Sequence, residues 1–210
     1  VGVDRGRAVA LYSNSSLWQF GGPIGSPENR RQVRQTLGSP LEWVLRGEIR
    51  YMRNGNKEAD LYQLAQVAYG EFFYDMTESE KVTSIQLIFR QPYEQLHGFL
   101  GHMTAEMASS YERQLFLLAN AIRARHGLLP FEWNERAATA AQKHSRDMGT
   151  RDYFNHDTPD GRTPLDRILA EGLRIRQVGE NIAANLNAIN AHEALMNSPG
   201  HRANLLSDMT

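Results

Sequence analysis

Apolar residues change their spacing partway along this chain, and that switch constrains the fold more than any other feature. Within the first hundred residues they alternate in short runs; beyond about residue 110 they recur every three to four positions. A period of two lays side chains on one face of a strand, whereas a period near 3.6 lays them along one stripe of a helix. The sequence therefore predicts two domains, 1–100 and 111–210, with the boundary around 98–110. Of 210 residues, 41% are hydrophobic and 22% charged, a balance that suits a folded chain of two small domains.

In the first domain, Gly2-Val-Asp-Arg-Gly-Arg-Ala-Val-Ala-Leu-Tyr12 reads as strand, tight turn and strand around Asp4-Arg-Gly6. Ser26 as N-cap and Pro27 at the first helical position start a helix, Val33 and Leu37 share its inner face, and Gly38-Ser-Pro40 stops it. Tyr69-Gly-Glu-Phe-Phe-Tyr74 and Val82-Thr-Ser-Ile-Gln-Leu-Ile-Phe89 form a second strand pair across a polar turn. Two such pairs suggest a doubled helix-plus-sheet unit whose first copy lacks its beginning. Trp18, Trp43, Phe72, Phe73 and Tyr74 are read as strand residues and are expected in the sheet core rather than on a stacking platform.

The second domain reads as helices. Residues 111–126 place Leu115, Leu118, Ala119 and Ile122 on one stripe with Arg113, Arg123 and Arg125 outside it, and Gly127 follows as a stop. Asn134 caps an alanine-rich helix over 135–149, and Thr163-Pro-Leu-Asp166 carries the cap, proline and first-turn acid of a third. A fourth spans 190–197 and is broken by Ser198-Pro-Gly200. The whole is an α+β chain.

Several functions are disfavoured by composition. The formal net charge is -1 and no run of Lys and Arg stands out, so nothing favours a nucleic-acid partner. Cysteine is absent, which removes disulfides, Cys-ligated zinc and thiol nucleophiles. No stretch reaches the roughly 20 apolar residues of a membrane span. His192-Glu-Ala-Leu-Met196 begins like a zinc-protease helix, but Met196 stands where the second histidine is needed. No Gly-x-Ser-x-Gly elbow accompanies Ser145 or Ser198. His144, with Ala140, Ala141 and Met148 nearby on its helix, is expected to be packed. Val1 is not a start methionine and falls inside a presumed strand pair, so a segment trimmed by processing is expected before it.

Three segments carry a resemblance: Phe154-Asn-His-Asp-Thr-Pro-Asp-Gly161, Gly179-Glu-Asn-Ile-Ala183 and Met196-Asn-Ser-Pro-Gly-His-Arg-Ala-Asn-Leu-Leu206. With Asn120-Ala-Ile-Arg123 and His144-Ser-Arg-Asp-Met148 in support, they resemble, in order and separation, the CAP superfamily in its bacterial, SCP-like branch. Residues 1–100 are similar to the CAP-associated N-terminal domain of some Gram-positive proteins. The resemblance implies a secreted, extracellular or cell-envelope protein. It also implies a C-terminal α-β-α sandwich with an open cleft, behind a smaller N-terminal α+β repeat domain. Carried over residue by residue, the cleft positions are His156, Glu180 and His201, with Asn181 beside them. Where animal and plant members have a further acid, this chain reads Asn197-Ser198. The family's final strands would follow Thr210, so an uncovered sheet edge is expected, continued by more chain or covered by self-association.

Two imidazoles and a carboxylate would suit zinc or another divalent metal at His156, Glu180 and His201. The same trio could instead be a hydrogen-bonded polar cluster in which Glu180 fixes a histidine tautomer. Glu180 could also accept backbone N–H groups in a turn, His201 could be only a cap, and Asn181 is expected to tie loop backbone. The leading function is a module binding a small ligand, a peptide, a cell-wall component or a lipid in this cleft. The alternatives are a metal-assisted hydrolase or protease and a surface assembly module acting through residues 1–100.

Overall fold

The structure is a computed structural model that describes residues 1–15, 28–53, 57–95 and 104–209. Ser26, Pro27 and Trp18 lie outside the described residues. The chain divides into two compact units, Val1–Ser110 and Tyr111–Thr210.

In the first unit, β1 (Gly2–Asp4) and β2 (Arg7–Ser13) form the expected hairpin, whose turn residues Arg5 and Gly6 both take positive φ. Helix α1 (Arg30–Leu37) begins with Asn29, whose side chain accepts the Gln32 N–H, and ends at Gly38 with φ +80°. Then come β3 (Trp43–Arg46), β4 (Ile49–Met52), β5 (Ala59–Leu64), β6 (Ala68–Asp75), β7 (Lys81–Phe89) and the short α2 (Arg90–Glu94). β2 pairs with β7, so the two strand pairs read from the sequence close into a single antiparallel sheet in the order β1-β2-β7-β6-β5. β3 and β4 form a separate hairpin.

Apolar clusters cover both faces of this sheet. Val33 and Leu37 of α1 pack with Tyr62, Phe72, Tyr74, Val82 and Ile85. On the other face Leu61 and Tyr69 meet Val44 of the hairpin and Tyr93 of α2. Burying residues of this size is worth about 1.5–3 kcal/mol each, so β6, paired on both sides by β7 and β5 and buried at nearly every position, is the spine of the unit. Trp43 departs from expectation. It is 41% exposed, on the outer face of the hairpin, with the Arg50 guanidinium 4.3 Å from its ring centre. Only the inner hairpin face, through Val44, reaches the core.

A buried carboxylate pins α1 to the sheet. Asp60 of β5 accepts two bonds from Arg30, two from Arg34, and one each from Tyr62 and Tyr74. Burial works against its charge, but the guanidiniums of Arg30 and Arg34 prevail and hold it below the usual carboxylate range.

Helix α3 (Ala105–Arg125) begins before Tyr111 and continues into the second unit, which also holds α4 (Glu135–Arg151), α5 (Pro164–Ala170), α6 (Ala188–Met196) and α7 (Pro199–Leu205). α3 starts earlier than the apolar stripe indicated, because Thr104 Oγ1 accepts the Met107 N–H. Asn134 and Thr163 cap α4 and α5 as expected, the latter in a capping box with Asp166. Ser198-Pro-Gly200 ends α6 and also starts α7, with Pro199 at its first position. Among the described residues no strand lies between 104 and 209.

Arg123 corrects the reading of α3 most sharply. Expected outside the stripe, it is 1% exposed. Its Nε donates to Leu129 O, Nη1 to Leu205 O and Ser207 O, and Nη2 to Met209 O, while the guanidinium lies 3.8 Å from the Phe131 ring centre. Position 123 follows Ala119 by one turn and so belongs on the stripe. A guanidinium is tolerated there because loop carbonyls satisfy its donors.

Candidate functional site

His156 stands on the loop that joins α4 to α5, and the residues around it explain that loop's shape. Thr158, buried, accepts the Arg162 N–H at Oγ1 (2.9 Å), and its own N–H donates to Arg162 O (3.0 Å). Gly161 takes φ +83°, a conformation glycine adopts without penalty. Asp160 is bound by Arg151 and then by Arg162, which hold its carboxyl well below the usual range. At the other end His144, buried as expected, holds Asn155 O at 2.9 Å through Nε2, and Tyr153 donates to Asp147. The loop is therefore fastened on both sides of His156.

Glu180 comes from the segment between α5 and α6. Asn204 Nδ2 bonds Glu180 O (3.3 Å) and Asn181 Oδ1 (2.9 Å), while Asn181 Nδ2 donates to His201 O (3.0 Å). Asn181 is thus spent on loop ties. A Cβ at Gly179 would sit 3.3 Å from both Asn204 Oδ1 and Met209 Cε, so glycine allows this close approach of the segment to α7.

These ties bring the three candidate side chains together. His156 Nδ1 lies 2.9 Å from Glu180 Oε1, and the His156 and His201 rings are 6.4 Å apart between centres, tilted by 45°. The side chain of His156 is 44% exposed and that of Glu180 19%. Glu180 does not serve as an acceptor for turn N–H groups: its second oxygen receives Arg167 Nη2. His201 lies in the first turn of α7 and is not its cap, a position held by Ser198.

Arg167 is the functional residue that sequence reasoning missed. It projects from α5 and is buried, and its Nη1 also donates to His156 O (2.7 Å) and Arg162 O (3.2 Å). No local pattern announces it, because an arginine in a short helix ordinarily reads as a solvated charge. It also lines a cavity of about 250 Å³ with Lys143, His144, Asp147 and Arg162, which His156, Glu180 and His201 do not line.

Both oxygens of Glu180 are engaged, one by His156 Nδ1 and the other by Arg167 Nη2. Among the described residues no three His, Asp or Glu side chains stand in a metal-holding group. His192 and Glu193 are both 3% exposed inside α6, and burial alone pushes His192 down to about 4. What the arrangement can do is present one imidazole, oriented by a carboxylate that a buried cation fixes.

Comparison with known proteins matches residues 117–210 to the Cysteine-rich secretory protein family, CAP, and residues 1–99 to the CAP-associated N-terminal family. Over 100 residues the chain is 36% identical to the uncharacterized protein YkwD of Bacillus subtilis, covering 47% of this chain and 39% of that protein. Over 107 residues it is 38% identical to the uncharacterized membrane protein YlbC of Bacillus subtilis, covering 50% and 31%. The aligned stretches thus span under two fifths of these curated relatives. An extracellular protein containing a SCP domain from Bacillus anthracis superposes with TM-score 0.81 at 26% identity, over 99% of this chain and 73% of that one. A cysteine-rich secretory protein from Staphylococcus aureus does so with TM-score 0.70 at 16% identity, over 98% and 73%, a likeness of fold alone.

Proposed function

We infer, from a chain that belongs to the CAP superfamily and carries its domain behind a CAP-associated N-terminal domain, that it acts outside the cell as a ligand-binding module. The ligand is polar, a peptide or a cell-wall component, and it is bound at His156, Glu180 and His201. The extracellular description of the Bacillus anthracis relative supports the placement. No described helix is long and apolar enough to cross a membrane.

One observation carries the reading. An imidazole nearly half exposed is held through a carboxylate to a buried arginine. Fixing an exposed side chain costs rotamer entropy, and a site fixed in advance binds with less to lose on association. Two imidazoles favour a hydrogen-bonding ligand over a lipid chain.

Titration of the 210-residue chain with muropeptide fragments, a peptide library and phospholipid vesicles tests this. Wall fragments or peptides should bind, and His156→Ala should weaken them about tenfold, equal to about 1.4 kcal/mol. Equal binding by both proteins, or binding to vesicles alone, removes the reading. Turnover that requires added zinc and disappears in Glu180→Gln would replace it with metal-assisted hydrolysis.

A further inference from the structure

The fork of Arg167 determines more than the position of Glu180. Its guanidinium spans two chain segments, taking the backbone oxygen of His156 with Nη1 and the Glu180 carboxylate with Nη2. Because a guanidinium is planar and always charged, it fixes the place of that carboxylate. A carboxylate is acceptor-only. The ring nitrogen facing it at 2.9 Å, Nδ1 of His156, must therefore carry the hydrogen, and in the neutral ring the lone pair is left on Nε2.

We propose that Arg167 is the positioning residue of this site: by locking Glu180 it sets the tautomer of His156 and leaves Nε2 as a hydrogen-bond acceptor for a ligand N–H or O–H. This deepens the binding function inferred above and rests on it for the ligand. The chemical class follows from the tautomer. An amide or a hydroxyl can donate to Nε2, whereas a carboxylate or phosphate finds no donor there while the ring is neutral. Peptide amides and sugar hydroxyls both qualify.

Imidazole nitrogen NMR of the full chain at pH 8, without ligand, tests the tautomer. Wild-type His156 should show a protonated Nδ1 and a bare Nε2. Arg167→Met should lose that signature, as Glu180→Ala does, and Arg167→Lys, which keeps the charge but not the fork, should recover part of it. If Arg167→Met does not fold by circular dichroism, Arg167→Gln carries the same comparison. A ring that keeps its Nδ1 proton in the Arg167 variant but loses it in Glu180→Ala overturns the role of Arg167. A wild-type ring protonated on Nε2 overturns the proposal as a whole. Titration with a muropeptide at pH 8 adds the ligand half: affinity should fall about tenfold in Arg167→Met and remain unchanged if the tautomer is irrelevant. Since the spectra need no ligand, a failed binding screen leaves the tautomer result standing, and a failed tautomer test leaves binding by His156 standing.

Discussion

The two units satisfy buried backbone by different means. In Val1–Ser110 the five-stranded sheet pairs backbone with backbone, and the buried cation Arg30 meets a carboxylate, Asp60. In Tyr111–Thr210 no strand forms among the described residues, and buried arginines take backbone carbonyls, four for Arg123 and, besides the Glu180 carboxylate, two for Arg167. Every buried carbonyl needs a donor. Where strands are lacking, a side chain with five N–H groups can supply several at once. The arginines of the second unit therefore do work that hydrogen-bonded ladders do in the first.

The largest test of this contrast removes one cation or anion from each unit. Arg123→Met should cost about 2–4 kcal/mol, since a buried guanidinium loses its bonds to four part-buried backbone carbonyls, each worth about 0.5–1.5 kcal/mol. Urea unfolding followed at the helical circular-dichroism band measures it, and a loss below about 1 kcal/mol would break the comparison. Asp60→Asn should cost about 2–3 kcal/mol in the sheet unit, because Arg30 is left with only the half-exposed Glu80, 2.8 Å away, as counter-charge. Restoring Asp in a background where Arg30 is already Met should recover much less.

Acid should separate the two units. Burial lowers His192 from 6.5 to about 4, so the unfolded chain takes up a proton that the folded helical unit refuses. Stability is full above pH 6.5 and falls by about 3 kcal/mol as the pH drops to 4, at about 1.4 kcal/mol per unit. Asp60 is lowered as well, but from the carboxylate range. Its contribution is present above about pH 4, the unfolded value, and is lost only below it. Calorimetry between pH 7 and 3 should show the helical unit weakening first, and His192→Phe should flatten that early limb.

The smallest effects should be equal in both units. Asn29→Ala and Thr163→Ala each remove a helix cap and should each cost about 1 kcal/mol by thermal melts. Unequal costs would mean that local helix chemistry, and not only the pairing of loops, differs between the halves.

Local signals survived from sequence to structure where their chemistry is local. The Arg5-Gly6 turn, the caps at Asn134 and Thr163, and the strands at 69–74 and 82–89 needed only neighbours a few residues away. β4 and β5 escape the sequence reading, and β3 is touched only through Trp43, although Gly47, at φ +57° between β3 and β4, marks a turn. Their alternation is blurred because parts of the hairpin stay exposed and β5 is buried on successive positions. At the site, the segments holding His156, Glu180 and His201 were legible as a family resemblance. Arg167 and Arg123 were not, since a buried arginine is defined by carbonyls distant in sequence, which no spacing rule displays.

Six donated hydrogen bonds converge on Asp60, and this makes the positions around it interdependent in sequence space. A change at 60 removes one shared acceptor from Arg30, Arg34, Tyr62 and Tyr74 together, whereas a change at any one of the four still leaves the aspartate several donors. Drift can therefore nibble at the periphery of this cluster one residue at a time, but replacing its centre with an apolar side chain requires near-simultaneous exchange of both arginines. The anchoring of α1 should accordingly vary in blocks, as a set of coupled substitutions rather than a series of single ones.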